Sequence, residues 1–519
     1  MPTPRQHGGA ALVHIPLTIP GFKGLNTQQS SALLGPEWAT KLRNCVIDDS
    51  SRVAARKGMD MLTTSELAGT PIVQLYEFVE SDDSTELIAF TEDDIYKSSD
   101  DGGSWSSING TLTITDGNWK AVNFNNTMVA CQEGEAPIEY TGSGNFTLIA
   151  DANAPQGGII LSAYGRIWMS DDDGHTIKYS ALLDASDWTS SDSGTIDLWN
   201  IWPDNDKITA IAAFNSTLVV FGRRCVVVLT DGQGSPLGVD PTQMYVVDVL
   251  KGTGCVSDMS IQHVDGDLWF LSENGLQSLG RVIQERSNPL NNLSKNIQDY
   301  LSTAVAGADL SLLRSVFSPR HRVYLLALPA GTDAETGTVF VFDTRGLMED
   351  GSARCMGQWD LVPRAMCYTI DQDILMQVFS DDGEIGRYYG GLDNGSAYTM
   401  VYESGWMDLT QEGYIIIPKR YEGVFYSDNT IIIDFKWAFD FDDTFNTISK
   451  TFTGSGAGGE WGESEWGEDE WGGGIALRRG KVAPYKNGQF IKLGISASIN
   501  NAVVAIQSLG LFAKIGRFA

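Results

Sequence analysis

The feature that most constrains this chain is a unit that recurs seven times. Each copy is an apolar run ending in an aromatic residue or His, a short polar turn, a second apolar run, another turn and a third run. The anchors are Phe78, Phe124, Tyr164, Phe214, His263, Phe317 and Tyr368, spaced by 40 residues (Phe124 to Tyr164) up to 54 (His263 to Phe317). The fourth unit reads Ile208 to Phe214, then Asn215-Ser216, then Thr217 to Phe221. The fifth sets His263, Asp265-Gly266 and Leu268 to Leu271 in the same places. Apolar runs broken by two-residue turns are hairpin signals, and a period of about 40–50 residues with several strands per unit suits propeller blades. The expectation is therefore an all-β chain containing a β-propeller of about seven blades, with six to eight tolerable. A pair of β-sandwiches with similar hairpins is the competing fold.

One turn supports the same architecture. Ser98-Ser99-Asp100-Asp101-Gly102-Gly103-Ser104-Trp105 matches the Asp-box pattern, in which the Asp100 carboxylate accepts N–H bonds across the turn. Gly102 supplies positive φ, Ser98 and Ser104 complete the turn, and Trp105 packs beneath it. A looser copy uses Ser170, Asp172, Gly174 and Thr176 and lacks the final Trp. Such turns occur in sialidase-like propellers and in non-enzymes alike, so they bear on fold and not on reaction. Helices are expected at only two clear places. One is Gly35 to Asn44, where Pro36 and Glu37 suit a helix start; the other is Asn292 to Ala304, where Leu293, Ile297 and Leu301 recur every four residues.

After about residue 410 the texture changes. Strand-like runs (Tyr414 to Pro418, Thr430 to Phe435, Trp437 to Phe439) lead into a low-complexity loop, 454–474, in which Trp461, Trp466 and Trp471 fall every five residues among six acidic groups. This loop reads equally as aromatic anchors for a partner or as a segment packed on its own domain. Residues 475–519 then carry seven basic groups and no acidic one, Arg478 and Arg479 among them. The division expected is a platform segment over 1–70, a propeller over 71–410 and a C-terminal β domain over 411–519 that joins the N-terminal segment in a platform or tip.

Charge narrows the function classes. The formal net charge of −30 opposes any broad hold on phosphate backbones. It is unevenly distributed: residues 1–58 sum to +4 and 475–519 to +7, which leaves −41 for 59–474. The six Cys lie far apart and form no CxxC pair, so they read as free thiols of a reducing compartment. The first residues lack the apolar core of a secretion signal, and no run approaches a membrane span, so a product that is not exported by itself is expected.

Catalytic patterns are weak. The five histidines form no HExxH, and neither Gly-x-Ser-x-Gly nor a P-loop occurs. Asp171-Asp172-Asp173 and Asp204-Asn205-Asp206 lack the ligand spacing of an EF-hand and read as solvated turns. No catalytic residue, cofactor or metal site is expected.

The stretch Gly21-Phe22-Lys23-Gly24-Leu25-Asn26-Thr27, followed by Leu34 to Ala39, Leu42-Arg43-Asn44 and Arg56-Lys57-Gly58, resembles the opening of tail nozzle proteins of short-tailed bacteriophages. These are also called tail tubular protein B or DNA stabilisation proteins. Asp267 to Leu276 and the Trp-Gly repeat are similar as well. The resemblance implies a propeller subunit of a homohexameric ring below the portal and adaptor, in a virion assembled in the host cytoplasm. Viral DNA would pass through without sequence-specific binding, and tail fibres or a needle would be mounted on the ring. Six copies would carry roughly −180 formal charges, a sign that repels phosphates from a lumen wall. It further implies that Lys41, Arg43, Arg52, Arg56 and Lys57 belong to a platform facing the adaptor or a neighbouring subunit. A simple basic surface is the plainer reading. From the Asp boxes, the alternative function is a sialidase-like propeller that binds or cleaves glycans; a trimeric tail fibre or baseplate adhesin is a third.

Overall fold

The computed structural model describes residues 13–16, 22–62, 67, 72–114, 118–202, 206–233, 239–286, 292–330, 336–378, 384–408, 414–453 and 476–517. The loop 454–474, with Trp461, Trp466 and Trp471, lies outside them. The chain is mostly β, organised in many small antiparallel sheets.

Six anchors mark the first strand of such a sheet, on it or immediately after it, and Phe317 marks the edge strand of a ten-stranded sheet whose first four strands form the sixth unit, called the sixth small sheet below. Those strands are Ile72–Val79, Lys120–Phe124, Ile160–Ala163, Ile208–Phe214, Gln262–Val264, Arg314–Ser318 and Ala365–Tyr368. Four of the first hairpins close through pairs of positive-φ residues: Asn125-Asn126, Tyr164-Gly165, Asn215-Ser216 and Asp265-Gly266. Two consecutive positive-φ residues make the turn whose twist matches paired strands, and Asn, Asp and Gly reach that region at least cost.

The second strands show how the sheets are stacked. In Thr127–Cys131, Met128 and Ala130 pack with Phe90, Trp119 and Tyr140 on the first sheet's side, whereas Val129 and Cys131 pack with Ile167 and Met169 of the third sheet. In Thr217–Gly222, Leu218 and Val220 face Trp168 and Tyr179, while Val219 and Phe221 face Leu268 and Phe270 of the fifth sheet. Alternate residues thus enter different cores, and strands buried on both faces read as unbroken apolar runs. In Thr85–Thr91, Ile88 and Phe90 face the second sheet, but Leu87 and Ala89 pack with Leu375 and Ile385 of the seventh. Packing therefore runs in chain order and returns from the last small sheet to the first.

The N-terminal segment links this stack to two larger sheets. Met59–Met61 supplies the fourth strand of the seventh small sheet by pairing with Ile385–Tyr388. Trp38–Arg43 meets the last strand of the sixth small sheet at a single bridge, Arg43 to Gln358, and pairs along Tyr398–Asp408. That sheet continues through Phe490–Ile499 and Ile431–Phe439 to Asn446–Phe452. The second large sheet runs Ala476–Val482, Tyr414–Ser427, Val504–Arg517, Val53–Ala55, Cys45–Ile47. Edge-on contacts of Tyr421 and Phe425 with Phe435, at 5.2 and 5.7 Å between ring centroids, pack the two sheets together.

Two expectations need adjustment. Residues 38–43 form a strand and not the helix expected over 35–44: Ala39 and Leu42 are buried between neighbouring strands, and tertiary pairing overrides the local start signal of Pro36 and Glu37. The large sheet also begins earlier than the change of texture near 410, since Tyr398–Asp408 already belongs to it. The second expected helix lies over Gln298–Gly307 behind a short 3-10 turn, Lys295–Ile297, with Leu293, Ile297 and Leu301 buried.

Candidate functional site

The basic stretch that the sequence singles out sits at the joint between the stack of small sheets and the two large ones. Its hairpin, Cys45–Ile47 to Val53–Ala55, turns on Asp48. One carboxylate oxygen of Asp48 accepts from the Ser50 and Arg52 N–H groups, both at 2.9 Å, and the other accepts from Arg52 Nε at 2.6 Å. The Arg52 guanidinium then lies 4.4 Å over the Tyr426 ring and donates to Gln507. Arg56 is wholly buried. It donates to both oxygens of Asp393, at 2.8 and 2.6 Å, and to Asn44 Oδ1 at 3.0 Å, against the Tyr398 ring.

These positions show which of the basic side chains are committed within the fold. Arg56 cannot offer its charge to a partner, because the hairpin consumes it to bind the loop after the seventh small sheet. Lys41 pairs with Glu403 at 3.8 Å, and Arg43 pairs with Asp360. Arg479 makes two 2.9 Å bonds to Glu422 at an exposed position, and Arg478 is half-buried beside it. Of the basic assembly candidates, Lys57 is an exposed residue whose ammonium lies 5.6 Å from the Tyr389 ring.

Arg52, Arg56 and Lys57 line one cleft of about 360 Å³. Its opposite wall is the turn Arg320-His321-Arg322 of the sixth small sheet, together with Arg345 and Tyr388. Arg345 binds Asp343 through two nitrogens, at 2.8 and 2.7 Å, and donates to the backbone carbonyls of Ile47 and Asp48. Burial, followed by the charges of Lys57 and Arg320, pushes the His321 imidazole down to about 4. Burial and then Arg320 lower the Lys57 ammonium as well. The residues contributed from the far wall carry no signal in the sequence, since they come from turns more than 250 positions away.

The first Asp-box turn forms as its pattern requires. Asp100 accepts from the Ser98 hydroxyl at 2.7 Å, from the Ser104 N–H at 2.8 Å and from the Ser104 hydroxyl at 2.7 Å, while the Gly102 N–H donates to Ser98 Oγ. Gly102 has φ +91°, and Trp105 packs against the core between the first and seventh sheets. In the second turn the acceptor is Asp173 and not Asp172. Asp173 takes the His175 and Thr176 N–H groups at 2.8 Å and the Thr176 hydroxyl at 2.6 Å, and Asp172 is exposed. Five residues separate Ser170 from Thr176, against seven between Ser98 and Ser106, so the shorter turn moves the acceptor one place along the chain. The two turns also join different strand pairs, third to fourth in the first sheet and second to third in the third.

Among the described residues no three His, Cys, Asp or Glu side chains are grouped to hold a metal ion, and no helix is long and apolar enough to cross a membrane. Asp171 pairs with Lys178 at 2.7 Å, and Asp206 accepts the Arg223 and Arg224 N–H groups; Asp204 and Asn205 lie outside the described residues. The His175 ring meets Trp199 edge-on.

No family model and no curated protein matches the chain. Among solved structures it is similar to the extracellular domain of a one-component system of B. thetaiotaomicron, at 10% identity and a TM-score of 0.41. The match covers 80% of this chain and 59% of that one, so the chain spans under two thirds of the matched structure.

Proposed function

We propose that this protein is a structural subunit of a phage tail nozzle, in which the seven small sheets are the blades of a propeller and the two large sheets are its platform. One observation carries the reading: the residues that resemble the nozzle family are those that hold the two parts together. Leu25, Asn26, Leu42, Asn44, Arg56 and Gly58 are all buried; Arg56 ties the large-sheet hairpin to Asp393 in the loop that follows the last small sheet, and Asn44, which accepts from Arg56, donates to Asp360 after the sixth. A Cβ on Gly24 would collide with the Cys355 carbonyl, and one on Gly58 with that of Leu392. The propeller is supported by side-chain packing that passes from each small sheet to the next and returns to the first.

In this reading six copies close a ring below the portal and adaptor. The acidic propeller lines a conduit that repels phosphates, and fibres or a needle attach to the assembly. Electron microscopy of the purified chain, alone and mixed with a cognate adaptor, tests it. Six-fold rings with an open axis are expected. A strictly monomeric particle that cleaves or binds a sialoside would overturn the nozzle reading in favour of the glycan-directed one, and trimers binding the host surface would favour an adhesin.

A further inference from the structure

The cleft at the joint is lined by six Lys or Arg residues and two Asp in a chain whose formal net charge is −30. Around it Arg52 is matched by Asp48, Arg56 by Asp393, Arg345 by Asp343 and Arg320 by Asp373. Two cations remain. Among the described residues neither Lys57 nor Arg322 has a carboxylate at ion-pair distance, although both line the same cavity. Arg322 sits at a tight turn with φ +52° and is exposed. The acids on the cleft wall are already engaged: Asp48 accepts three bonds from its own hairpin, and Asp49 leans toward Arg345 at 3.5 Å.

We propose that this cleft binds a small multivalent oxyanion, a phosphate or an organic polycarboxylate, held between Lys57 and Arg322. The volume suits a small ligand, and guanidinium and ammonium groups lining one cleft are the chemistry that recognises such anions. Burial is the larger cause of the lowered pKa of His321 and of Lys57, and the neighbouring cations, Arg320 for both and Lys57 for His321, push in the same direction. Lys57 belongs to the span between the large-sheet hairpin and the closing strand Met59–Met61, while Arg320 and Arg322 belong to the sixth small sheet. A bound anion would therefore clamp the two parts of the molecule together. The inference does not depend on the nozzle reading.

The test compares the unfolding midpoint of the full chain in inorganic phosphate, in citrate and in chloride at matched ionic strength. Phosphate or citrate is expected to raise the midpoint well beyond chloride. The same rise is expected in a control, Arg286→Met, whose side chain pairs with Asp248 away from the cleft. In Lys57→Met/Arg322→Met the concentration needed should increase at least about tenfold. An equal rise in the double variant, or no anion-specific rise in the parent chain, overturns the proposal. Should the double variant fail to fold, calorimetric titration of phosphate into Lys57→Gln and Arg322→Gln singly decides the matter: unchanged affinity in both defeats it. Whether phosphate or citrate acts at the lower concentration identifies the oxyanion class.

Discussion

The Arg56 guanidinium grips both carboxylate oxygens of Asp393, at 2.8 and 2.6 Å, across 337 residues of chain. The arginine side chain is fully buried and the aspartate nearly so. Removing one partner of a buried pair leaves the other charge stranded, at a cost of about 3–5 kcal/mol. Arg56→Met and Asp393→Leu should each lower stability by an amount in that range in urea unfolding. The double variant should recover part of the loss, because it strands nothing. Strictly additive losses would mean that the pair is not coupled.

That pair also marks what the sequence could and could not reveal. The small sheets are legible because their signals are local: alternation within a strand, and turns such as Asn215-Ser216 that need positive φ at both residues. Arg56 reads only as one of several basic residues, since nothing near it announces Asp393 or Asn44. Gly24 and Gly58 stand out in the sequence as motif letters, but their reason, a carbonyl from a distant strand or loop pressed against each, exists only in the fold. Residues 38–43 look helical in the sequence because Pro36 and Glu37 speak for a helix locally, while the strands that recruit this segment lie more than 300 residues away.

The two Asp turns make a paired prediction. Asp173→Ala should destabilise by about 1 kcal/mol, the worth of a lost turn acceptor, whereas Asp172→Ala should leave the thermal midpoint unchanged. Asp100→Ala should lower the midpoint as well. The reverse ranking of the Asp172 and Asp173 variants would restore the Asp-box alignment in the second turn.

Asp100 and a second hydrogen-bonded carboxylate, Asp151, set a pH dependence. Hydrogen bonds from the Ser98 and Ser104 hydroxyls hold the Asp100 carboxyl below its ordinary range, and the Asn153 N–H and Thr189 hydroxyl do the same for Asp151. In the unfolded chain these groups titrate near about 4, so the unfolded state binds protons first as pH falls. Their contribution is thus fully present above that value and is lost as pH drops through the lower folded values. Acid titration of the unfolding free energy should show this decline, and Asp100→Asn should flatten it. An identical slope in that variant would remove Asp100 from the account.

Burial of the thiols is measurable by reactivity. It pushes Cys45, Cys131, Cys255 and Cys355 up to about 12, and raises Cys225 and Cys367 too. A thiol reagent near neutral pH should react slowly with the native chain, first at the partly exposed Cys367, and should find six equivalents after denaturation. Rapid native release of several equivalents would contradict the packing of the small sheets.

The closing strand makes the most demanding prediction. Met59–Met61 pairs in register with Ile385–Tyr388, Met59 opposite Tyr388 and Met61 opposite Gly386. The residues just before it supply Val53–Ala55 and Cys45–Ile47 to one large sheet and Trp38–Arg43 to the other. Deleting residues 1–61 therefore strips strands from three sheets at once and leaves Ile385–Tyr388 as an open edge, the kind of edge that invites aggregation. A chain of residues 62–519 should be insoluble or rapidly proteolysed when produced alone. Co-produced with a separate 1–61 polypeptide it should be rescued and should copurify with it, because pairing and burial do not require the covalent link at 61–62. A truncated chain that remains soluble, with an unaltered unfolding midpoint, would show that the N-terminal segment decorates the fold without closing it.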